Sequence, residues 1–181
     1  MNKNHENQKR RNHTISEEDV KQYIFERFKD VKRTKKNKDI MRFHTMNKYM
    51  IMAHDQEELK ELGNIVARNK KIPFEKTLKK YEKHLKKAFD RQPTVKMHVN
   101  VIMHVFGHFS KDMSRNEKEM FLKLLEKYRN GSIDISKILV EINTVIFKFN
   151  NTYLSSQTYF LLYSDTQSEI LFQMLQIDMK K

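Results

Sequence analysis

Cysteine and tryptophan are absent from this 181-residue sequence, and glycine and proline number only three and two. Without Cys the chain can build no disulfide, thiolate nucleophile, iron–sulfur cluster or Cys-bearing zinc site. Three glycines leave no room for a phosphate-cradling loop of the P-loop or dinucleotide-binding type. Long apolar runs are lacking too. Residues 49–53 and 99–106 are the longest, far short of the roughly 20 that span a bilayer, and Asn100 and His104 interrupt the second. The first fourteen residues are polar and basic, without the apolar stretch of a secretory signal. The expectation is a cytoplasmic protein with no membrane partner.

Positive charge is abundant. Lys and Arg number 36 against 23 Asp and Glu, a formal net charge of +13. The excess is lopsided: residues 1–100 hold 26 basic and 14 acidic side chains, the remainder 10 and 9. One basic cluster is Lys32, Arg33, Lys35, Lys36, Lys38 and Arg42; a longer one runs from Arg68 to Arg91. Such asymmetry fits a face that meets a polyanion. It fits equally a merely solvated lysine-rich surface.

Hydrophobic spacing reads as helix after helix. Residues 1–14 have no apolar pattern and are expected to be a disordered basic tail. Ser16, with Asp19 three residues on, caps a first helix carrying Val20, Tyr23, Ile24, Phe28 and Val31 at the 3.6-residue period. The Lys/Arg run over 32–38 is expected to interrupt it, and a second helix to follow over 39–53. Asp55 and Glu58 have capping-box spacing for a third helix. Pro73 suits the first turn of a fourth, whose stripe is Phe74, Leu78, Tyr81, Leu85, Ala88 and Phe89. Thr94 caps a fifth, with Val95, His98, Val101, Ile102, Val105 and Phe109 on its apolar face. Ser114 with Glu117 opens a sixth, carrying Met120, Phe121, Leu124, Leu125 and Tyr128, and Asn130-Gly131 closes it. A seventh carries Ile138, Leu139, Ile142, Val145, Ile146 and Phe149. Residues 153–163 read as either a short helix or an extended, Tyr-rich binding surface, and Asp165 caps a last helix through Leu175. No alternating run is long enough for a sheet. The expected fold is all-α, a single-domain bundle of about seven or eight helices over residues 15–181.

Candidate chemistry is sparse. His104 and His108 have the i,i+4 spacing of two metal ligands, but no Glu follows the first, so the metalloprotease pattern is missing. They read as interface hydrogen-bonders, with no metal and no cofactor expected. His44 and Lys48 are one turn apart, a pairing able to grip a phosphate or ribose. Met residues at helical spacing read as core. No nucleophile elbow or acid–base carboxylate pair specifies a reaction.

Five segments, taken together, resemble the YbgA family, a domain of unknown function. They are RFHTMNKYMIMAH (42–54), ELGNIVA (61–67), HVNVIMHVFGHF (98–109), EKYRNGSI (126–133) and YLSSQTYF (153–160). The family pattern falls on His44, Lys48, His54, His98, Asn100, His104, Tyr153 and Gln157 among others, and these are the candidate polar site. The sequence departs from it at Asn47, where the family has His, at His108, where it has Tyr, and at Leu162 and Ser164, where it has proline. YbgA-like domains occur alone or fused to desulfidase domains that act on thiolated uracil, including 4-thiouridine in tRNA, where they are thought to hold the RNA. The resemblance therefore implies a stand-alone RNA-binding accessory module, with tRNA as the expected RNA and a desulfidase or other uridine-modifying enzyme as a partner. Lacking Cys, the chain cannot carry the desulfidase chemistry itself. Lys35, Lys36, Arg42, Lys79, Lys80, Lys83, Lys86 and Lys87 are the expected phosphate contacts. Two rivals stay open: an enzyme with its His/Lys/Asn site between helices, and a protein-interaction module with a basic face.

Overall fold

The computed structural model describes residues 15–68 and 71–163; the expected N-terminal tail and last helix lie outside them. Nine helical segments and no strand occur among the described residues: α1 (Glu17–Thr34), α2 (Asn37–His54), α3 (Gln56–Ala67), α4 (Phe74–Phe89), α5 (Val95–Phe109), α6 (Arg115–Arg129), α7 (Ile135–Lys148), α8 (Thr152–Ser155) and α9 (Thr158–Tyr163). The architecture is an all-α multi-helix bundle.

Helix starts follow the sequence. Ser16 and Asp19 form a full capping box on α1, as Ser114 and Glu117 do on α6, and Thr94 accepts from the Met97 amide at the head of α5. Each such cap satisfies an amide of the first turn that has no intrahelical acceptor, for about 1 kcal/mol. Gly131, at φ 78°, supplies the left-handed residue after α6.

Three local expectations are corrected. The basic run does not end α1 early. Lys and Arg are good helix formers, and Lys32 and Arg33 in the last turn complement the helix dipole, so the break narrows to Lys35 and Lys36. Asp55 accepts from the amides of Glu57 and Glu58, but the Glu58 side chain turns to α4 instead of closing a capping box. Val95 and Met120, placed on apolar faces by their spacing, are 46% and 70% exposed: Val95 is the first residue of α5, and Met120 lies beside the buried stripe of Phe121, Leu125 and Tyr128 on α6.

α2 is the hub. It packs against α1, α3, α4, α5 and α9, and Tyr49 through His54 are all buried. A helix surrounded on nearly every side needs an apolar surface nearly all round. Phe28, Phe43 and Tyr81 lock α1, α2 and α4 together, with Phe28 and Tyr81 stacked at 5.6 Å. Phe106, Phe109, Phe121 and Phe149 do the same for α5, α6 and the end of α7. Residues 153–163 form α8 and α9. Tyr159, Phe160 and Leu162 are core, so most of this segment is packing and not an open binding surface. Among the described residues no helix is long and apolar enough to cross a membrane.

Candidate nucleic-acid interface

The apolar stripe of α4 (Thr77, Leu78, Tyr81, Leu85, Ala88, Phe89) is buried, which turns Lys79, Lys80, Lys83, Lys86 and Lys87 to solvent. Lys35, Lys36 and Arg42 are exposed at the α1–α2 corner. That corner lies beside α4, because Lys32 Nζ bonds Glu82 Oε2 at 2.7 Å. The eight expected phosphate contacts are not equivalent. Lys86 pairs with Glu82 at 3.1 Å, and Lys87 pairs with the buried carboxylate of Glu58. Lys32 foremost, with Lys86, holds the Glu82 carboxyl below the ordinary range. Among the described residues Lys35, Lys36, Arg42, Lys79, Lys80 and Lys83 have no carboxylate within ion-pair distance.

A second polar feature lies where α2 meets α5. The Tyr49 hydroxyl and His108 Nε2 are 2.7 Å apart, and Asn100 Nδ2 donates to Gln56 Oε1 at 3.1 Å. Gln56 opens α3 directly after α2, so rising numbers from 49 to 56 meet falling numbers from 108 to 100, and α5 runs antiparallel to α2 along a polar seam that continues onto the start of α3. Lys48, Tyr49, His108 and Tyr153 stand at one end and Asn100 with Gln56 at the other; exposed His104 lies between. Lys48 Nζ is 5.8 Å from the Tyr49 ring centroid. Burial, then the Lys48 charge, lowers His44 to about 4. Burial, Lys48 and His104 also lower His108, and burial with Tyr153 raises the Tyr49 hydroxyl. At neutral pH this end presents one ammonium among neutral imidazoles and phenols. That set can hold an anion or stack on a flat ring.

Other polar candidates are structural. His44 leans toward α4, its Nδ1 3.0 Å from the Tyr81 hydroxyl, at the edge of the seam. His54 is buried; its Nδ1 donates to the Arg91 carbonyl at 2.8 Å, tying α2 to the end of α4. His98 is buried with Nδ1 2.8 Å from the Tyr159 hydroxyl, and burial foremost lowers it to about 4. Gln157 is fully buried and donates to the Thr45 carbonyl at 2.9 Å. The structure thus brings Lys48, Asn100, His104 and Tyr153 to the open seam and His44 to its margin. It carries His54, His98 and Gln157 into the interior. The i,i+4 pair His104–His108 has one nitrogen engaged by Tyr49, and among the described residues no three His, Cys, Asp or Glu side chains gather to hold a metal.

Sequence reasoning missed one set. Asp55 and Glu58 are buried at the start of α3 and face α4, where Arg91 Nη1 lies 3.0 Å from Asp55 Oδ2 and His84 Nδ1 lies 2.7 Å from Glu58 Oε2. Burial opposes the Glu58 charge, but the hydrogen bonds from Lys87 and His84 outweigh it and the carboxyl stays low. Two acids three residues apart, against His84, Lys87 and Arg91 at spacings of three and four, were the available signal.

A family model described as a protein of unknown function, DUF1722, matches residues 48–164. The chain belongs to the DUF1722 family. It is also similar to the uncharacterized protein YbgA of Escherichia coli (strain K12), 26% identical over 125 residues, which cover 68% of this chain and 74% of that protein. No solved structure matches. The DUF1722 match takes in the seam and the lysines of α4, while Lys35, Lys36, Arg42 and His44 precede it.

Proposed function

We propose that this DUF1722 domain is an RNA-binding accessory module, with tRNA as its RNA. The observation that carries the reading is the set of lysines on the outer face of α4, Lys79, Lys80 and Lys83. They are free of carboxylate partners among the described residues, beside a corner where Lys35, Lys36 and Arg42 are equally free. Six cations that no acid among the described residues neutralises form an electrostatic footprint for a phosphate backbone, read by shape and charge more than by base identity. The seam adds Tyr153 and Lys48, an aromatic ring and a cation suited to an unstacked nucleotide. A link to thiolated-uridine metabolism, through a desulfidase or another uridine-modifying partner, rests on the YbgA resemblance.

Fluorescence anisotropy with bulk tRNA across a salt series tests it. The expected result is saturable binding whose logarithm falls steeply with log salt. Charge reversal at Lys79 and Lys83 weakens all RNAs alike and flattens the slope by about 0.7–0.9 per lost contact. Unaltered affinity in that variant, or no binding at low salt, overturns the reading. Tighter binding of 4-thiouridine-containing tRNA supports the sulfur link.

A further inference from the structure

α3 and α4 pack together, with Leu59, Leu62, Leu78 and Tyr81 buried, and residues of both helices line a cleft of about 330 Å³. Arg68 from the end of α3 and Lys80, Lys83 and His84 from α4 line it. Glu61 is the one carboxylate on its wall, and it makes no ion pair among the described residues. Three formal cations around one concavity repel each other, and Glu61 offsets only one of them. Lys86 and Lys87, outside the cleft, are instead neutralised by Glu82 and Glu58.

His84 is held in place. Its Nδ1 is engaged by the buried Glu58 carboxylate at 2.7 Å, and a carboxylate only accepts. The imidazole is therefore fixed in orientation and Nε2 is its remaining polar atom. Ile65 and Ile72 supply an apolar wall, and Asn64 an amide able both to donate and to accept. The volume sits at the low end of the ~300–1,000 Å³ typical of small-ligand pockets, which suits one nucleotide and excludes a duplex.

We infer that the α3–α4 cleft is a nucleotide-sized phosphate site, in which Arg68, Lys80 and Lys83 hold the phosphate and His84, positioned by Glu58, donates Nε2–H to it in the imidazolium form. The group recognised is a phosphate ester, from a free nucleotide or from an RNA strand. This site goes beyond the general basic face, because it requires a specific geometry and not charge alone, and it stands whether or not the domain binds tRNA.

The test is calorimetric titration of the full-length protein with uridine 5′-monophosphate, inorganic phosphate and uridine. The expected result is saturable one-to-one binding of the monophosphate, at least about tenfold tighter than uridine, as charge-assisted bonds to a phosphate require. Arg68→Gln and His84→Gln each weaken it by about tenfold, whereas Lys123→Gln, the same charge change as Arg68→Gln at an exposed site on α6, alters it less than about twofold. Arg68 is exposed, so its variant keeps the test sound if His84→Gln does not fold. A monophosphate bound no better than uridine, or Lys123→Gln as damaging as Arg68→Gln, overturns the inference. Competition by an RNA oligomer without terminal phosphates supports the site with the strand as source; monophosphate binding that such RNA leaves untouched supports it with a free nucleotide as source. Monophosphate binding without tRNA binding overturns the RNA reading and leaves the site standing; tRNA binding without monophosphate binding does the reverse.

Discussion

His98 Nδ1 and the Tyr159 hydroxyl, 61 residues apart in sequence, meet at 2.8 Å inside the core and join α5 to α9. Both side chains are buried, so neither has water to fall back on. Tyr159→Phe keeps the ring and leaves the imidazole nitrogen unsatisfied. The expected loss is about 1–3 kcal/mol, read as a lower urea midpoint at unchanged slope. RNA affinity should not move. An unchanged midpoint would return His98 to the pool of binding candidates.

Stability should fall with acid earlier than carboxylate titration explains. His98 and His44 are each lowered to about 4 by burial foremost, against a value near 6.5 in the unfolded chain. Because the native pKa is depressed, the stability these neutral rings contribute is fully present above pH ~6.5. It is lost as pH falls toward about 4, by up to about 1.4 kcal/mol per pH unit for each ring. Imidazole NMR titration, with urea denaturation at pH 7 and pH 5, reads both effects. Rings that titrate near 6.5 in the folded protein would contradict the burial argument.

Lys48 should act on two histidines at once. Its charge contributes to the lowering of both His44 and His108. Lys48→Met removes the cation and keeps the stem, so both imidazoles are expected to titrate at higher pH than in the parent protein, His44 still well below normal because burial is its larger cause. A shift confined to one ring in the NMR titration would mean the ammonium does not sit between them.

The lysines of α4 should separate by role. Lys87 closes on the buried Glu58 carboxylate, whereas Lys79 has no acid partner among the described residues. Lys87→Ala is expected to lower the thermal midpoint, because it strips a hydrogen bond from a buried carboxylate. Lys79→Ala should leave the midpoint unchanged and weaken RNA binding. Equal midpoints for the two variants would show that Glu58 does not depend on Lys87.

Helix boundaries were legible because caps are local: Ser16 with Asp19, Thr94, and Ser114 with Glu117 each act within one turn of their own position. The apolar stripe of α4 was equally plain from its spacing. The candidate site was legible only in part. Lys48, Asn100 and His104 stand on an open seam, and His98 is interior, in keeping with its place on the apolar face of α5, but His54 and Gln157 carried no such signal and are interior too. Spacing gives the face of a helix, not what lies opposite, and a buried polar atom with one good partner looks in sequence like an exposed one awaiting a ligand.

By itself the sequence determined the all-α class, most helix starts and stops, the absence of cysteine chemistry and the concentration of positive charge before residue 100. Each follows from composition or from interactions within a few residues. Tertiary structure alone decided which charges are spoken for. It set Glu58 under His84 and Lys87, Glu82 between Lys32 and Lys86, and left Arg68, Lys80 and Lys83 around an open cleft. Those pairings are set by how helices distant in the chain pack, and at the few-ångström range of an ion pair, packing decides whether a lysine is neutralised or left to bind.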